Sequence, residues 1–219
     1  MPFFSTDLFC FLADNEKKLF ADNSQFVKYK KSELIINKGT LNNQIFLLVN
    51  GYVKVSATVG ENKRIIDVLK KDRILSIITI FSENTYKLSA SAISDCELLI
   101  FNKNLLVNVM SNNYKFTSHL FKIISESAIK YINFLAFQNK RNVRGRVAEA
   151  ILYLSYQVYN SNSFPLNFTR KEMAELSNTT TETIIRIFSE FKNDKIIEAN
   201  GKVITIIDLE FLNKLAYSG

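Results

Sequence analysis

Two charged residues, Glu182 and Arg186, carry the most specific chemistry that this sequence offers. They stand four apart and so project from one helical face, where an isolated pair would form a surface ion pair worth about 0.3 kcal/mol. Offered to the major groove of DNA, the same pair divides the work. The Arg186 guanidinium can donate two hydrogen bonds to guanine O6 and N7, while the Glu182 carboxylate accepts from cytosine N4 and orients the arginine. Thr180 and Thr181 open that helix. Thr169, Arg170, Thr180 and Lys202 suit phosphate positioning, as short hydroxyls at helix N-termini and cations near the backbone do. Other chemistries are poorly supplied. His119 is the one histidine, so a three-histidine metal site within one chain is impossible. Cys10 and Cys96 can form at most one disulfide, and they are read as free thiols of a reducing compartment. There is no Gly-rich phosphate loop, no metal-ligand spacing and no nucleophile-base constellation, so the expectation is a chain that is no enzyme and holds no metal.

The helix that carries Glu182 and Arg186 needs elements to present it. Thr169 with Glu172 three positions later has capping-box spacing and starts a helix to about Leu176. Ser177-Asn178-Thr179 makes a turn, and Thr180 caps a second helix to about Asn193, with Ile184, Ile187, Phe188 and Phe191 on its apolar side. Met173 and Leu176 fill the junction, and Ala174 permits close approach. Ile196 to Ala199, the turn Asn200-Gly201 and Val203 to Ile207 then read as a hairpin whose tip carries Lys202. Two short helices, a tight turn and a hairpin make a winged helix-turn-helix.

Upstream the pattern is different. After a helix over Asp14 to Ala21, short apolar runs succeed one another: Leu34 to Asn37, Ile45 to Val49, Tyr52 to Val59, Arg64 to Leu69, Leu88 to Ile93 and Glu97 to Phe101. Turn signals at Lys38-Gly39, Asn50-Gly51 and Gly60-Glu61-Asn62-Lys63 separate them, which suggests a barrel, roll or sandwich rather than βαβ units. Past Phe101 the period lengthens toward 3.6. A short helix (Lys103 to Val109) precedes a long one (Tyr114 to Phe137), on which Leu120, Ile124, Ser127, Tyr131, Phe134 and Gln138 alternate spacings of four and three, the seam of a coiled coil. Arg141 to Tyr159 is a further amphipathic helix. The fold class is therefore α+β: a barrel, roll or sandwich within residues 1–112, a long helix over 113–138 that reads either as a homodimer seam or as a helix wrapped within one monomer, and a winged helix-turn-helix over 139–219.

Composition agrees with a folded chain and locates little else. The 219 residues are 47% hydrophobic and 22% charged, with 6 Gly and 2 Pro, which excludes fibrous and low-complexity classes. A net charge of +7 is compatible with a polyanionic partner, yet residues 139–219 hold 11 Lys/Arg against 9 Asp/Glu, so net charge does not mark the DNA-reading segment. The start of the chain has no basic n-region, and no uncharged apolar run of about 18 residues follows, so a cytoplasmic protein without membrane contact is expected.

These residues resemble the Crp/Fnr family of transcription regulators. The likeness rests on Thr169-Arg170 through Thr180-Thr181-Glu182-Thr183-Ile184-Ile185-Arg186, where Glu182 and Arg186 stand at the family's base-reading positions, and on Gly39 to Gly51 with Tyr52-Val53-Lys54-Val55, which is similar to its paired-glycine roll signature. The resemblance implies that residues 1–112 form a jelly-roll-like double-stranded β-roll and 113–138 a dimerisation helix, in a sequence-specific regulator acting as a homodimer on a near-palindromic operator, with double-stranded DNA and RNA polymerase as partners. Thr181 stands where the cyclic-AMP receptor branch has an arginine, and Ile185 where the oxygen-sensing branch has a serine, so half-site preference is expected to differ from both.

The family's sensor chemistry is altered here. Leu75 and Ser76 replace the glycine-glutamate pair of a cyclic-nucleotide pocket, and Leu88 stands where its phosphate-binding arginine belongs. Lys87 is adjacent but on the opposite strand face. Cyclic AMP is not expected as cofactor. An iron-sulfur cluster is not expected either, because two cysteines are half the usual ligand set. Haem through His119, Cys96, Met110 or a tyrosine stays open, as does an apolar effector in a pocket of Ile74, Leu75, Ser76, Leu88, Ser89, Ser127 and Tyr131. The alternative function is thus an effector-binding sensor in which DNA binding is secondary or lost.

Overall fold

The computed structural model describes residues 7–60, 62–82, 84–138 and 142–217. A short 3-10 turn, Asp7–Phe9, leads into α1 (Asp14–Asp22). Eight strands follow: β1 (Ser24–Tyr29), β2 (Leu34–Ile36), β3 (Gln44–Asn50), β4 (Val53–Val59), β5 (Asn62–Leu69), β6 (Arg73–Ile74), β7 (Ser89–Ala92) and β8 (Cys96–Asn102). They form two four-stranded sheets, ordered β1-β8-β3-β6 and β2-β7-β4-β5. This is the expected roll, and β1 and β6 are strands that the apolar runs alone did not reveal.

The continuous run Ile45-Phe46-Leu47-Leu48 in β3 has a simple cause: both faces of the strand are covered. Ile45 and Leu47 pair with Phe101 and Leu99 of β8 and join a core with Phe9, Phe20, Phe116 and Leu120. Phe46 and Leu48, on the other face, pair with Ile100 and Leu98 and are also buried. Gly51 closes the β3–β4 corner at φ 87°, and a Cβ there would lie 2.5 Å from the Asp95 carbonyl oxygen and 2.6 Å from Cys96 Cβ, so only glycine fits.

The next helices are α2 (Lys103–Asn112), α3 (Tyr114–Gln138) and α4 (Val143–Tyr153), and the last continues as a π-helical turn over Leu154–Tyr159. The expected helix to Tyr159 is therefore continuous in direction but changes its hydrogen-bond register before Asn160, which takes a left-handed φ of 51°. Residues 139–141, where the expected helix Arg141 to Tyr159 begins, and Glu61 of the expected turn lie outside the described residues.

The C-terminal elements are β9 (Ser163–Pro165), α5 (Arg170–Ser177), α6 (Thr181–Asn193), β10 (Ile197–Asn200), β11 (Val203–Ile206) and α7 (Leu209–Tyr217). The three strands are ordered β10-β11-β9, so the wing hairpin gains a third strand. Helix α7 was not read from the sequence, although Asp208 announces it by accepting the Phe211 amide at 2.8 Å as an N-cap does. Leu212 and Ala216 are its buried positions, and α7 packs on α4. By compactness the chain divides into Met1–Ala57 with Asp67–Tyr131, and Thr58–Ile66 with Ile132–Gly219. Among the described residues no helix is long and apolar enough to cross a membrane.

Candidate nucleic-acid interface

The turn between α5 and α6 is built by its own capping groups. Thr169 Oγ1 accepts the Glu172 amide at 3.2 Å while Glu172 Oε2 accepts the Thr169 amide at 2.7 Å, the reciprocal box expected from the spacing. Asn178 ends α5 in the left-handed conformation at φ 49°, and Thr180 Oγ1 starts α6 by accepting the Thr183 amide at 3.3 Å. Met173, Ala174, Leu176, Ile184, Ile187, Phe188 and Phe191 are buried between these helices and their support, as their spacing required. Arg146, on α4, clamps the turn from below: its Nε and Nη2 donate to the carbonyls of Ser177 and Asn178, each at 3.0 Å. Sequence reasoning missed this residue, because nothing local marks an arginine that acts 31 positions away.

On the outer face of α6, Glu182 and Arg186 are both exposed, with Thr181 half-buried behind them. In the free chain each of them has another partner. The Arg186 guanidinium donates to Glu190, one turn onward. Glu182 turns back to its own amide and the Thr180 hydroxyl, and these hydrogen bonds hold its carboxyl below the usual range. The reason is local: an acid in the first helical turn faces unpaired amides, which compete well for it. Glu190 also stands 3.7 Å from Arg144, whose other nitrogen is 2.9 Å from Asp194.

The four residues expected at phosphates are all exposed. Thr169 and Thr180 are occupied as caps, and the Arg170 guanidinium lies 4.5 Å from the centre of the Phe188 ring. Lys202 stands at the wing tip beside Gly201, whose φ of 60° makes the turn.

The seam expected along α3 faces this chain's own interior. Leu120 is 1% exposed within the roll core, Ile124 packs against that core, and Tyr131 donates to Asp67 Oδ2 at 3.0 Å. Ser127 donates to the Ile123 carbonyl, and Phe134 meets the Tyr153 ring at 6.0 Å. Leu120 and Tyr131, covered by their own chain, are not free to form a seam with another, whereas Ile124, Ser127 and Phe134 are half-buried. Beyond Tyr114 at its start, the large apolar side chains of α3 exposed among the described residues are Phe121, Ile129 and Ile132, at 57%, 58% and 64% exposure. Phe121, Ser125, half-buried Ala128 and Ile132 alternate spacings of four and three, a second seven-residue stripe that shares its period with the expected one and differs in phase, with Ile129 beside it.

A cavity of about 450 Å³ lies between α3 and the β5–β6 segment of the roll. Of the expected effector residues, Ile74, Ser127 and Tyr131 line it, whereas Leu75, Ser76, Leu88 and Ser89 do not. Leu75 and Leu88 fill the core at 2% and 8% exposure, and Ser89 Oγ accepts the Lys38 amide. The cavity is also not apolar, because Asp67, Lys70, Arg73 and Lys130 line it. Lys130 Nζ is 3.3 Å from Asp67 Oδ1. Burial, reinforced by the Asp67 carboxylate, pushes the Tyr131 hydroxyl well above its ordinary range, so it is a neutral donor. Leu75, Ser76 and Leu88 stand where the resemblance places the groups that hold a cyclic phosphate and ribose.

Cys96 is buried and its thiol is pushed up to about 11, first by burial and then by Asp95 and Glu33. Cys10 is exposed. Its sulfur, an Asp7 carboxylate oxygen and a His119 ring nitrogen lie within 4.8 Å of one another, a set of metal-ligating side chains that no spacing in the sequence disclosed.

Comparison with known proteins agrees with both halves of the chain. Residues 26–113 match the cyclic nucleotide-binding domain and residues 145–215 the Crp-like helix-turn-helix domain, together well over half the chain. The CRP-like cAMP-activated global transcriptional regulator of Mycobacterium tuberculosis is 20% identical over 197 residues, 88% of each chain. Among solved structures, FixK2 from Bradyrhizobium japonicum superposes with a TM-score of 0.80 at 16% identity, over 90% of this chain and 98% of that one. The c-di-GMP responsive global regulator CLP from Xanthomonas campestris gives 0.75 at 14% identity, over 89% and 99%. These relatives are regulators and not enzymes, in keeping with a non-catalytic role. The chain belongs to the Crp/Fnr family of transcription regulators, with a cyclic-nucleotide-binding-like roll followed by a winged helix-turn-helix.

Proposed function

We propose that the chain reads DNA as a homodimer on a near-palindromic operator, presenting α6 to two successive major grooves roughly 34 Å apart. The observation that carries this reading is the exposed pair Glu182 and Arg186 on the first turns of a helix whose start is fixed by the Thr180 cap and the Arg146 clamp. Arg186 reads guanine, Glu182 and Thr181 read neighbouring base edges, and Thr169, Arg170, Thr180 and Lys202 touch phosphates. The dimer forms along the Phe121, Ala128 and Ile132 stripe of α3. The working domains are the roll (1–112), the dimer helix (113–138) and the reader (139–219), with RNA polymerase as the partner that turns binding into transcription in the cytoplasm.

Control is by something other than cyclic AMP, since Leu88 and Leu75 occupy the roll core where a nucleotide's polar partners would be needed. A sensing role is favoured by the charged cavity beside α3, which suits a small polar effector better than an apolar one. Operator selection from random DNA, followed by binding of Arg186→Ala and Lys202→Ala variants, tests the reading. Arg186→Ala should lose about 1–3 kcal/mol of preference for operator over random DNA. Lys202→Ala should weaken both alike and lower the salt slope by about one. Equal loss on both DNAs for the Arg186 variant would remove its assigned role.

A further inference from the structure

We propose that Asp7, Cys10 and His119 form a binding site for one borderline divalent cation of the zinc type. The turn Asp7–Phe9 is anchored by Leu8 and Phe9, buried at 4% and 0% exposure in the same core as Phe116 and Leu120 of α3. This anchoring sets the turn against the start of α3 and leaves Asp7 and Cys10 exposed beside His119. The His119 ring is itself held, edge-on to Phe11 with centroids 5.1 Å apart. Its Nε2 is 2.8 Å from the Asp7 carbonyl oxygen and 3.5 Å from Asp7 Oδ1.

These distances match what a cation requires. A tetrahedral ion bound at about 2.0–2.3 Å holds its ligand atoms roughly 3.3–3.8 Å apart. Asp7 and His119 are already at that separation, and the three ligand atoms, within 4.8 Å of one another, close the rest by rotation of the exposed Cys10 and Asp7 side chains. Imidazole, thiolate and carboxylate together suit zinc and its neighbours better than magnesium or calcium, which prefer oxygen alone. A thiolate and a carboxylate neutralise a dication. With 82% of the Asp7 side chain exposed, the fourth position opens to water, as in zinc sites that exchange a ligand. On binding, His119 gives up the hydrogen bond from Nε2 to the Asp7 carbonyl and carries its ring proton on Nδ1, while the Cys10 thiol releases one proton to solvent. The bound ion joins the N-terminal turn to α3, giving metal supply a direct hold on that helix.

Titration of the full-length protein with Co²⁺ in the absence of DNA tests the site. The expected result is one ion per chain, with the d–d absorption of tetrahedral cobalt and a thiolate-to-cobalt charge-transfer band that Zn²⁺ then displaces. Cys10→Ser should abolish the charge-transfer band, and Asp7→Asn and His119→Gln should each weaken binding at least tenfold, whereas Cys96→Ser should change neither. Circular dichroism of each variant separates lost ligation from lost folding, and none of these signals depends on whether α6 reads DNA. A band that survives Cys10→Ser, an affinity unchanged in His119→Gln, or no 1:1 complex in the parent protein would overturn the assignment.

Discussion

The Arg186 guanidinium is bound to Glu190, one turn onward, while Glu182 is held by its own amide and the Thr180 hydroxyl. In free protein Arg186 is thus restrained from its C-terminal side while Glu182 is restrained by the helix start. The two residues are held by separate local partners, and Glu190 sets the direction in which the arginine is presented.

Replacing Glu190 should therefore alter recognition without touching a base-reading residue. Glu190→Gln removes a negative charge beside Arg186 and Arg144, so affinity for random DNA should rise while the operator-to-random ratio falls by up to about tenfold. Anisotropy titrations on both DNAs at one salt concentration measure the ratio. An unchanged ratio would mean that Glu190 does not position Arg186 in the complex.

The two phases of α3 separate cleanly by mutation. Ile132→Asp places a charge on the exposed stripe and should give monomers in sedimentation with the fold intact. Leu120→Ala removes a side chain that is 1% exposed and should cost about 2–5 kcal/mol of stability instead. A dissociated but fully stable Leu120→Ala protein would restore the inner seam as the dimer contact.

At the β3–β4 corner, Gly51→Ala meets both a backbone oxygen at 2.5 Å and a left-handed φ. The expected loss is above about 2 kcal/mol in chemical denaturation, larger than an ordinary loop substitution. Gly39, also at positive φ but with open space around its Cα, should lose less when replaced.

Cys96 supplies a pH dependence. Its thiol moves from an ordinary 9.0 to about 11 in the folded chain, so the folded state favours the protonated form. That contribution is complete below pH 9.0 and is lost as pH rises toward 11, where stability should fall. Cys96→Ser should flatten the fall. Alkylation near neutral pH should modify the exposed Cys10 quickly and Cys96 only on unfolding, which mass spectrometry resolves.

The reader was legible because its signals are short-range. The Thr169–Glu172 box, the Asn178 turn and the Thr180 cap each act within four residues, and the apolar side of α6 repeats with the helical period. The core strands of the roll were legible for a related reason, since strands covered on both faces are apolar throughout. Strand β1 was harder, because its exposed Phe26 and polar neighbours dilute the run, and β6 holds only two residues. Helix α7 has its local signal in Asp208, whose carboxylate accepts the Phe211 amide.

By itself, the sequence determined the family, the order of roll, long helix and winged reader, and the residues that α6 turns outward. It determined that α3 has a seven-residue apolar repeat but not which of two stripes faces away from the chain. Only the tertiary structure decided that, because the roll covers Leu120 and Tyr131 and leaves Phe121 and Ile132 exposed. It also decided the partner of Arg186, the charged character of the cavity and the meeting of Asp7, Cys10 and His119. The physical reason is common to most of these: periodicity and capping are local, whereas choosing a face, lining a cavity or assembling ligands 112 positions apart depends on contacts made only when the chain has folded. Arg186 is the exception in range, since Glu190 lies as near in sequence as Glu182, and there the competition from free amides at the helix start made the choice.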